Sequence, residues 1–156
     1  MSALSDKAVE IAISQIGKEE VPRGSNWGKT GDPVPAYLAS VGINFPASWC
    51  MAFVNWCFEQ AGQQLGVPNP LFKTGGVLTG WSNRPRNQVK VPAIGDIFIM
   101  DLGHGLGHTG IIEKIDQDGA LHTVEGNTND TGSREGYEVA RKTRHNAKPI
   151  VGYLRF

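Results

Sequence analysis

Cysteine is scarce in this chain, neither sign of charge is in excess, and long apolar runs are missing. The two cysteines, Cys50 and Cys57, are too few for a disulfide framework. Fifteen basic residues cancel fifteen acidic ones. No basic stripe argues for nucleic acid, and no polybasic helix argues for a membrane surface. No apolar run approaches the length that crosses a bilayer. The segment Met1-Ser2-Ala3-Leu4-Ser5-Asp6-Lys7 lacks the basic start and continuous apolar run of a standard signal peptide. The expectation is synthesis in the cytoplasm, with lysis or a specialised export route needed to act outside it. The 156 residues, 40% apolar and 19% charged, suffice for one compact domain over 1–156 with a real core, and not for two.

The most informative stretch is Ser48-Trp49-Cys50-Met51-Ala52-Phe53-Val54-Asn55-Trp56-Cys57-Phe58-Glu59-Gln60-Ala61-Gly62. It predicts a helix with both ends marked. Pro46 precedes it, Ser48 caps its first N–H groups, and Gly62 takes the left-handed position after its last turn. Phe53, Val54, Cys57 and Ala61 recur at helical spacing and define a buried face. Cys50 is then the second helical residue, where unpaired N–H groups and the helix dipole favour negative charge. It reads as a nucleophile on a helix tip. The competing reading is a buried structural cysteine, because free Cys is among the most buried residue types. Cys57, one heptad on, reads as structural. Seven residues of helix hold the two thiols about 10 Å apart, beyond disulfide reach.

Residues 4–17 predict a first helix, with Leu4, Ala8, Ile11, Ala12 and Ile16 on one face and Gly17 at its end. A turn-rich loop follows over residues 20–28. Asp32 to Val41 predicts a short second helix that tolerates Pro33 and Pro35 in its first turn and ends before Gly42. Residues 63–95 read as loop, with a helical turn around Val77 to Trp81. Beyond Gly95 the pattern becomes extended. Strands are expected at Asp96 to Leu102, His108 to Asp116, Ala120 to Gly126, Tyr137 to Arg144 and Pro149 to Arg155. Gln117-Asp118-Gly119 predicts a tight hairpin turn between two of them. Helices first and antiparallel strands afterwards describe an α+β domain.

A thiolate needs a base. Of His104, His108, His122 and His145, His108 is best placed, at a strand end beside Gly103-His104-Gly105-Leu106-Gly107, where the scaffold fixes the ring and the loop leaves it accessible. A base needs an orienter. Val124-Glu125-Gly126-Asn127 offers a carboxylate and an amide at the end of the next strand, although Glu125-Gly126-Asn127 also reads as a simple turn. Of the two, the carboxylate stabilises an imidazolium by charge as well as by geometry.

The run Pro46 to Cys57 resembles the nucleophile helix of the CHAP family, the cysteine, histidine-dependent amidohydrolases and peptidases. Gly95-Asp96-Ile97, Gly107-His108-Thr109-Gly110-Ile111 and Glu125-Gly126-Asn127 are similar to that family's next three blocks, in the same order, over roughly residues 5–156. The resemblance implies a papain-like fold, with N-terminal helices packed on a C-terminal antiparallel sheet. It implies cleavage of amide bonds in bacterial peptidoglycan, at the cell wall or in the periplasm. Cys50 would be the nucleophile, His108 the general base and acid, and Glu125 with Asn127 the orienting pair. Asn26, in a segment like a groove-lining loop of part of the family, and Trp49 are assigned to substrate binding. Some relatives hold calcium in an N-terminal Asp cluster. Only Asp32 stands near such a place here, so no metal and no cofactor are expected.

The partner implied is a peptidoglycan peptide, met by a monomer. The scissile bond is either the muramoyl–L-alanine amide or a peptide bond of the stem or cross-bridge. A phage lysin, a resident wall enzyme and a toxin all fit, and a toxin would imply an immunity protein. Three rival readings stand beside this one: a non-catalytic wall- or partner-binding module, a cysteine acyltransferase, and a metal site of Cys50, Cys57, His104 and His108. The last is poor, for no C-x-x-C or H-E-x-x-H is present.

Overall fold

A reciprocal cap starts the chain's first helix. In α1 (Ala3–Ser14) the Ser2 hydroxyl accepts the Ser5 N–H and the Ser5 hydroxyl accepts the Ser2 N–H, each at 3.1 Å. Ala8, Ile11 and Ala12 are buried on its inner face. The computed structural model describes residues 2–128, 136–145 and 148–156. The expected domain over 1–156 also takes in residues 1, 129–135 and 146–147, which lie outside the described residues. Helix α2 (Pro33–Ala39) opens on Pro33, where a missing N–H costs no helical bond. None of the helices is long and apolar enough to cross a membrane among the described residues.

Helix α3 (Cys50–Leu65) is the centre of the packing, and ten of its residues are buried. Both of its ends differ from the sequence expectation. The residue before the first turn is Trp49, not Ser48, so Cys50 is the first helical residue instead of the second. Gly62 does not end the helix; it is a buried interior position. A Cβ there would lie 2.6 Å from the Val67 carbonyl oxygen, so this glycine lets the chain fold back across the helix. Gly66 takes the left-handed conformation instead, at φ 69°, one turn later. Tyr37 of α2 seals the front of α3. Its ring stacks on Trp49 at 5.6 Å and meets Phe53 edge-on at 5.1 Å. Tyr37, Trp49, Phe53 and Phe58 have no exposed surface, and a buried side chain of Phe size stabilises by about 1.5–3 kcal/mol.

The helical turn α4 (Val77–Ser82) falls where expected. A 3-10 turn at Pro85–Asn87 and a two-residue strand β1 (Gln88–Val89) follow, and neither was anticipated in that proline-rich stretch. The remaining strands are β2 (Ile97–Gly103), β3 (Leu106–Ile115), β4 (Leu121–Thr128), β5 (Glu138–Arg144) and β6 (Ile150–Leu154). They form one antiparallel sheet in the order β1-β6-β2-β3-β4-β5. The architecture is α+β, helices first and an antiparallel sheet after. β3 begins two residues before His108, because the β2–β3 turn closes tightly through Gly103, His104 and Gly105, all at positive φ. The β3–β4 hairpin turns at Gln117-Asp118-Gly119, with Gly119 at φ 88°.

Side chains alternate across the sheet. Ile97, Ile99, Ile111, Val124 and Leu154 join the helices in the main core. Phe98, Met100, Ile112, Leu121 and Tyr153 form a second cluster. The tip of α3 reaches the sheet at Gly126 of β4. A Cβ on Gly126 would sit 2.7 Å from Phe53 Cβ and 2.9 Å from Trp49 Cζ3. Those atoms belong to the fully buried helix tip and have little freedom to retreat. Gly126→Ala is therefore expected to destabilise the fold by about 1–3 kcal/mol. Denaturant melts should show this as a lower midpoint at unchanged slope.

Candidate active site

The first hydrogen bond of α3 runs from the Phe53 N–H to the Trp49 carbonyl, at 2.8 Å. The N–H groups of Cys50, Met51 and Ala52 precede it and have no acceptor within the helix. Cys50 is thus built into an electropositive helix start. Residues 20–28 brace this point. Trp49 donates its indole N–H to Glu20 at 2.9 Å, and Glu20 also accepts the Gly24 N–H at 2.7 Å. Trp49, assigned to substrate binding, has its ring fully buried between Tyr37 and the sheet, where it braces Cys50 from behind. Asn26 lies half-buried in the braced loop at φ 55° and makes no hydrogen bond to Cys50, His108 or Glu125.

The structure brings Cys50, His108 and Glu125 together. His108 Nε2 meets Glu125 Oε1 at 2.7 Å, and both side chains are buried. Glu125 takes up Nε2, which leaves Nδ1 for the thiol. Cys50 lies near enough to favour the charged ring, although Nδ1 makes no hydrogen bond. A loose nucleophile–base contact that tightens with substrate is common in such sites. The other histidines stand apart. His104 is exposed in the β2–β3 turn, His122 pairs with Asp116 at 2.8 Å, and His145 is exposed.

The expected orienting pair divides. Glu125 makes the contact with His108, whereas Asn127 makes no hydrogen bond to that ring. A bulge in the β4–β5 pairing lies between Glu125 and Thr128, and Asn127 sits within it at φ 54°, fully buried. A bulge re-aims side chains, so strict alternation does not carry from Glu125 to Asn127. The Asn127 carbonyl accepts the Gly136 N–H at 3.2 Å.

Two partners of Glu125 were absent from the sequence reading. Thr123, on the same face of β4, donates its hydroxyl to Oε2 at 2.6 Å. Arg144 of β5 donates Nε to Oε2 at 2.7 Å and Nη2 to Oε1 at 2.6 Å. A buried carboxylate demands a cation, which was the available signal. Arg141, Lys142 and Arg144 all lie in the predicted strand; the register places Lys142 and Arg144 on the Glu125 face, and the side-chain contacts single out Arg144. Gly110 completes the fit, since a Cβ there would fall 2.6 Å from Glu125 Cγ.

These contacts set the charge states. Burial works against charging His108, but Cys50 and then Glu125 overcome it and lift the imidazole from 6.5 to about 9. Burial would raise the Glu125 carboxyl, yet hydrogen bonds and charge from His108 and Arg144 hold it below its ordinary 4.5, at about 2. The arrangement suits an imidazolium beside the Glu125 carboxylate. Cys57 is fully enclosed, and burial pushes its thiol well up. Among the described residues no group of three or more His, Cys, Asp or Glu gathers as a metal site. A shallow cavity of about 310 Å³ opens elsewhere, along α2 and α3 beside Ser40, Trp56, Glu59 and Gln63, and no residue of the cluster lines it.

The CHAP domain family matches residues 42–127, more than half of the chain, and spans Cys50, His108, Glu125 and Asn127. The chain belongs to the CHAP family. That family is generally one of hydrolases and peptidases, of the amidase type that acts on peptidoglycan. No curated protein and no solved structure matches the chain significantly.

The two shifts act on stability in opposite directions of pH. The depressed carboxyl stabilises the fold above 4.5 and loses that contribution as pH falls toward 2. The raised imidazole stabilises below 6.5 and loses its contribution as pH rises through 9. Both are complete only between 4.5 and 6.5. Glu125→Gln is expected to flatten the acid-side fall in unfolding free energy between pH 4.5 and 2. Urea melts at stepped pH measure that slope.

Proposed function

We propose that this protein hydrolyses an amide bond of bacterial wall peptides, with Cys50 as nucleophile and His108 as acid and base, and that residues 1–156 act as one catalytic domain. The observation that carries this reading is the buried Cys50–His108–Glu125 chain at the start of α3. Membership of the CHAP family supports the choice of substrate class.

The Cys50 thiolate attacks the amide carbonyl carbon, and the carbonyl electron pair moves to oxygen. N–H groups at the start of α3, that of Cys50 among them, face the resulting oxyanion. The tetrahedral species collapses, the C–N bond breaks, and the imidazolium proton goes to the departing amine. A thioester remains on Cys50. Neutral His108 then takes a proton from water, the hydroxide adds to the thioester carbonyl, and collapse returns thiolate, imidazolium and a peptide carboxylic acid, which loses its proton to solvent. Glu125 stabilises the imidazolium at the start and end of this cycle and holds its ring.

Incubation of purified peptidoglycan with the protein, followed by mass analysis of the released fragments, tests the proposal. New amine and carboxyl ends are expected, and their position separates an amidase from an endopeptidase. Cys50→Ala should abolish release while leaving the melting temperature near that of the parent. His108→Ala should cut it by several orders of magnitude, while His104→Ala and His145→Ala stay close to the parent. Undiminished release by Cys50→Ala would remove the nucleophile from the scheme.

A further inference from the structure

Glu125 is fully buried and its hydrogen-bonding capacity is filled. Oε2 accepts from Thr123 Oγ1 and Arg144 Nε, and Oε1 accepts from His108 Nε2 and Arg144 Nη2. Arg144 therefore reaches the same oxygen that meets the imidazole. Its guanidinium lies over the Phe98 ring, 5.3 Å from the centroid, and its side chain is only 16% exposed. Phe98 in turn stands 6.1 Å from the His108 ring. Among the described residues, the charged and titratable groups whose contacts with the pair are seen are few. α3 contributes Cys50, β3 contributes His108, β4 contributes Glu125 with the neutral Thr123, and β5 contributes Arg144. β2 presents the Phe98 ring and α4 presents Val77 toward Gly107.

We propose that Arg144 is a positioning residue for the Cys50–His108 pair: its fork fixes the Glu125 carboxylate against His108, and its charge limits how tightly that carboxylate holds the imidazolium proton. This rests on the reading of Cys50 and His108 as the reacting groups. A bidentate guanidinium defines the plane and rotation of a carboxylate, which a single contact does not. Charge matters equally. A lone buried carboxylate beside an imidazolium would hold the proton strongly, and a proton held strongly is delivered slowly to a leaving amine. A second cation on the same oxygen shares the negative charge and repels the imidazolium. Arg144 thus sets the pH range over which His108 serves both as acid and as base.

Titration of the His108 ring by NMR tests this directly in the whole protein, without substrate. In Arg144→Met the midpoint of His108 should rise by about one pH unit, because a like charge has left and Glu125 has one cation instead of two. In Arg144→Lys it should stay within about half a unit of the parent, since the charge remains. The alkaline limb of the pH–rate profile for fragment release should move up with the midpoint in Arg144→Met. Arg144→Lys should recover only part of the lost rate, because it restores the charge without the fork. A drop in rate with an unmoved midpoint would reduce Arg144 to a structural ion pair, and a fall in the midpoint would also overturn the proposal. If Arg144→Met melts without cooperativity, Arg144→Gln takes its place, and equal midpoints in the Gln and Lys variants would refute the role of charge. If the parent releases no wall fragments, the hydrolase reading fails while the midpoints still decide the role of Arg144.

Discussion

A carboxylate with no exposed surface is the constraint around which this molecule is arranged. Removing an ion from water costs several kcal/mol even after relaxation, and the protein must return that through partners of good geometry. Glu125 has them from three adjacent strands: His108 on β3, Thr123 on its own strand, and Arg144 on β5. Loss of any one would leave a buried charge partly unmatched, which is far more harmful than never having buried it. The three-strand register is consequently tied to the site. A slip of one residue in β5 would turn Arg144 to the other face and strand Glu125.

Small residues make room for this chemistry. Gly110 leaves space for the Glu125 side chain, and Gly126 lets the tip of α3 approach the sheet closely. Behind Cys50, Trp49 is held by Tyr37 and by the buried Glu20, so the helix start cannot drift. Farther along, Asn55 and Asn69 hydrogen-bond to each other and to Ser40 and Leu71, pinning the middle of α3 to the loops around it. Reactive groups are thereby carried on elements whose own positions are over-determined, as precise placement requires.

Much of this was readable in the residues. The α+β order, the five longer strands and the hairpin at Gln117-Asp118-Gly119 follow from periodicity and turn chemistry, which are local. So does the placement of Cys50 at the start of a helix. Where the reading failed, the deciding cause was tertiary. Gly62 looked like a helix terminator because glycine usually is one. The close return of Val67 over the helix, invisible in one dimension, gives it a packing role. Tyr37, twelve residues before Trp49, covers its ring, a contact that the sequence does not display. Arg144 was one of several cations in a strand, and only its side-chain contacts distinguish it. Asn127 stands two residues after Glu125, and the bulge between Glu125 and Thr128, a product of the β4–β5 pairing, is invisible in that spacing.

The site draws on positions 50, 108, 123, 125 and 144, and the chain is made in that order. A nascent chain exposes the thiol long before its base exists, and the base before the strand that carries its clasp. Contacts of such wide sequence separation form late, after the loop entropy between them has been overcome. Until β5 pairs with β4, Glu125 lacks Arg144 and the His108–Glu125 pair lacks its full electrostatic setting. The complete cluster is therefore a property of the finished sheet, and a chain that stops before β5 carries Cys50 and His108 without it.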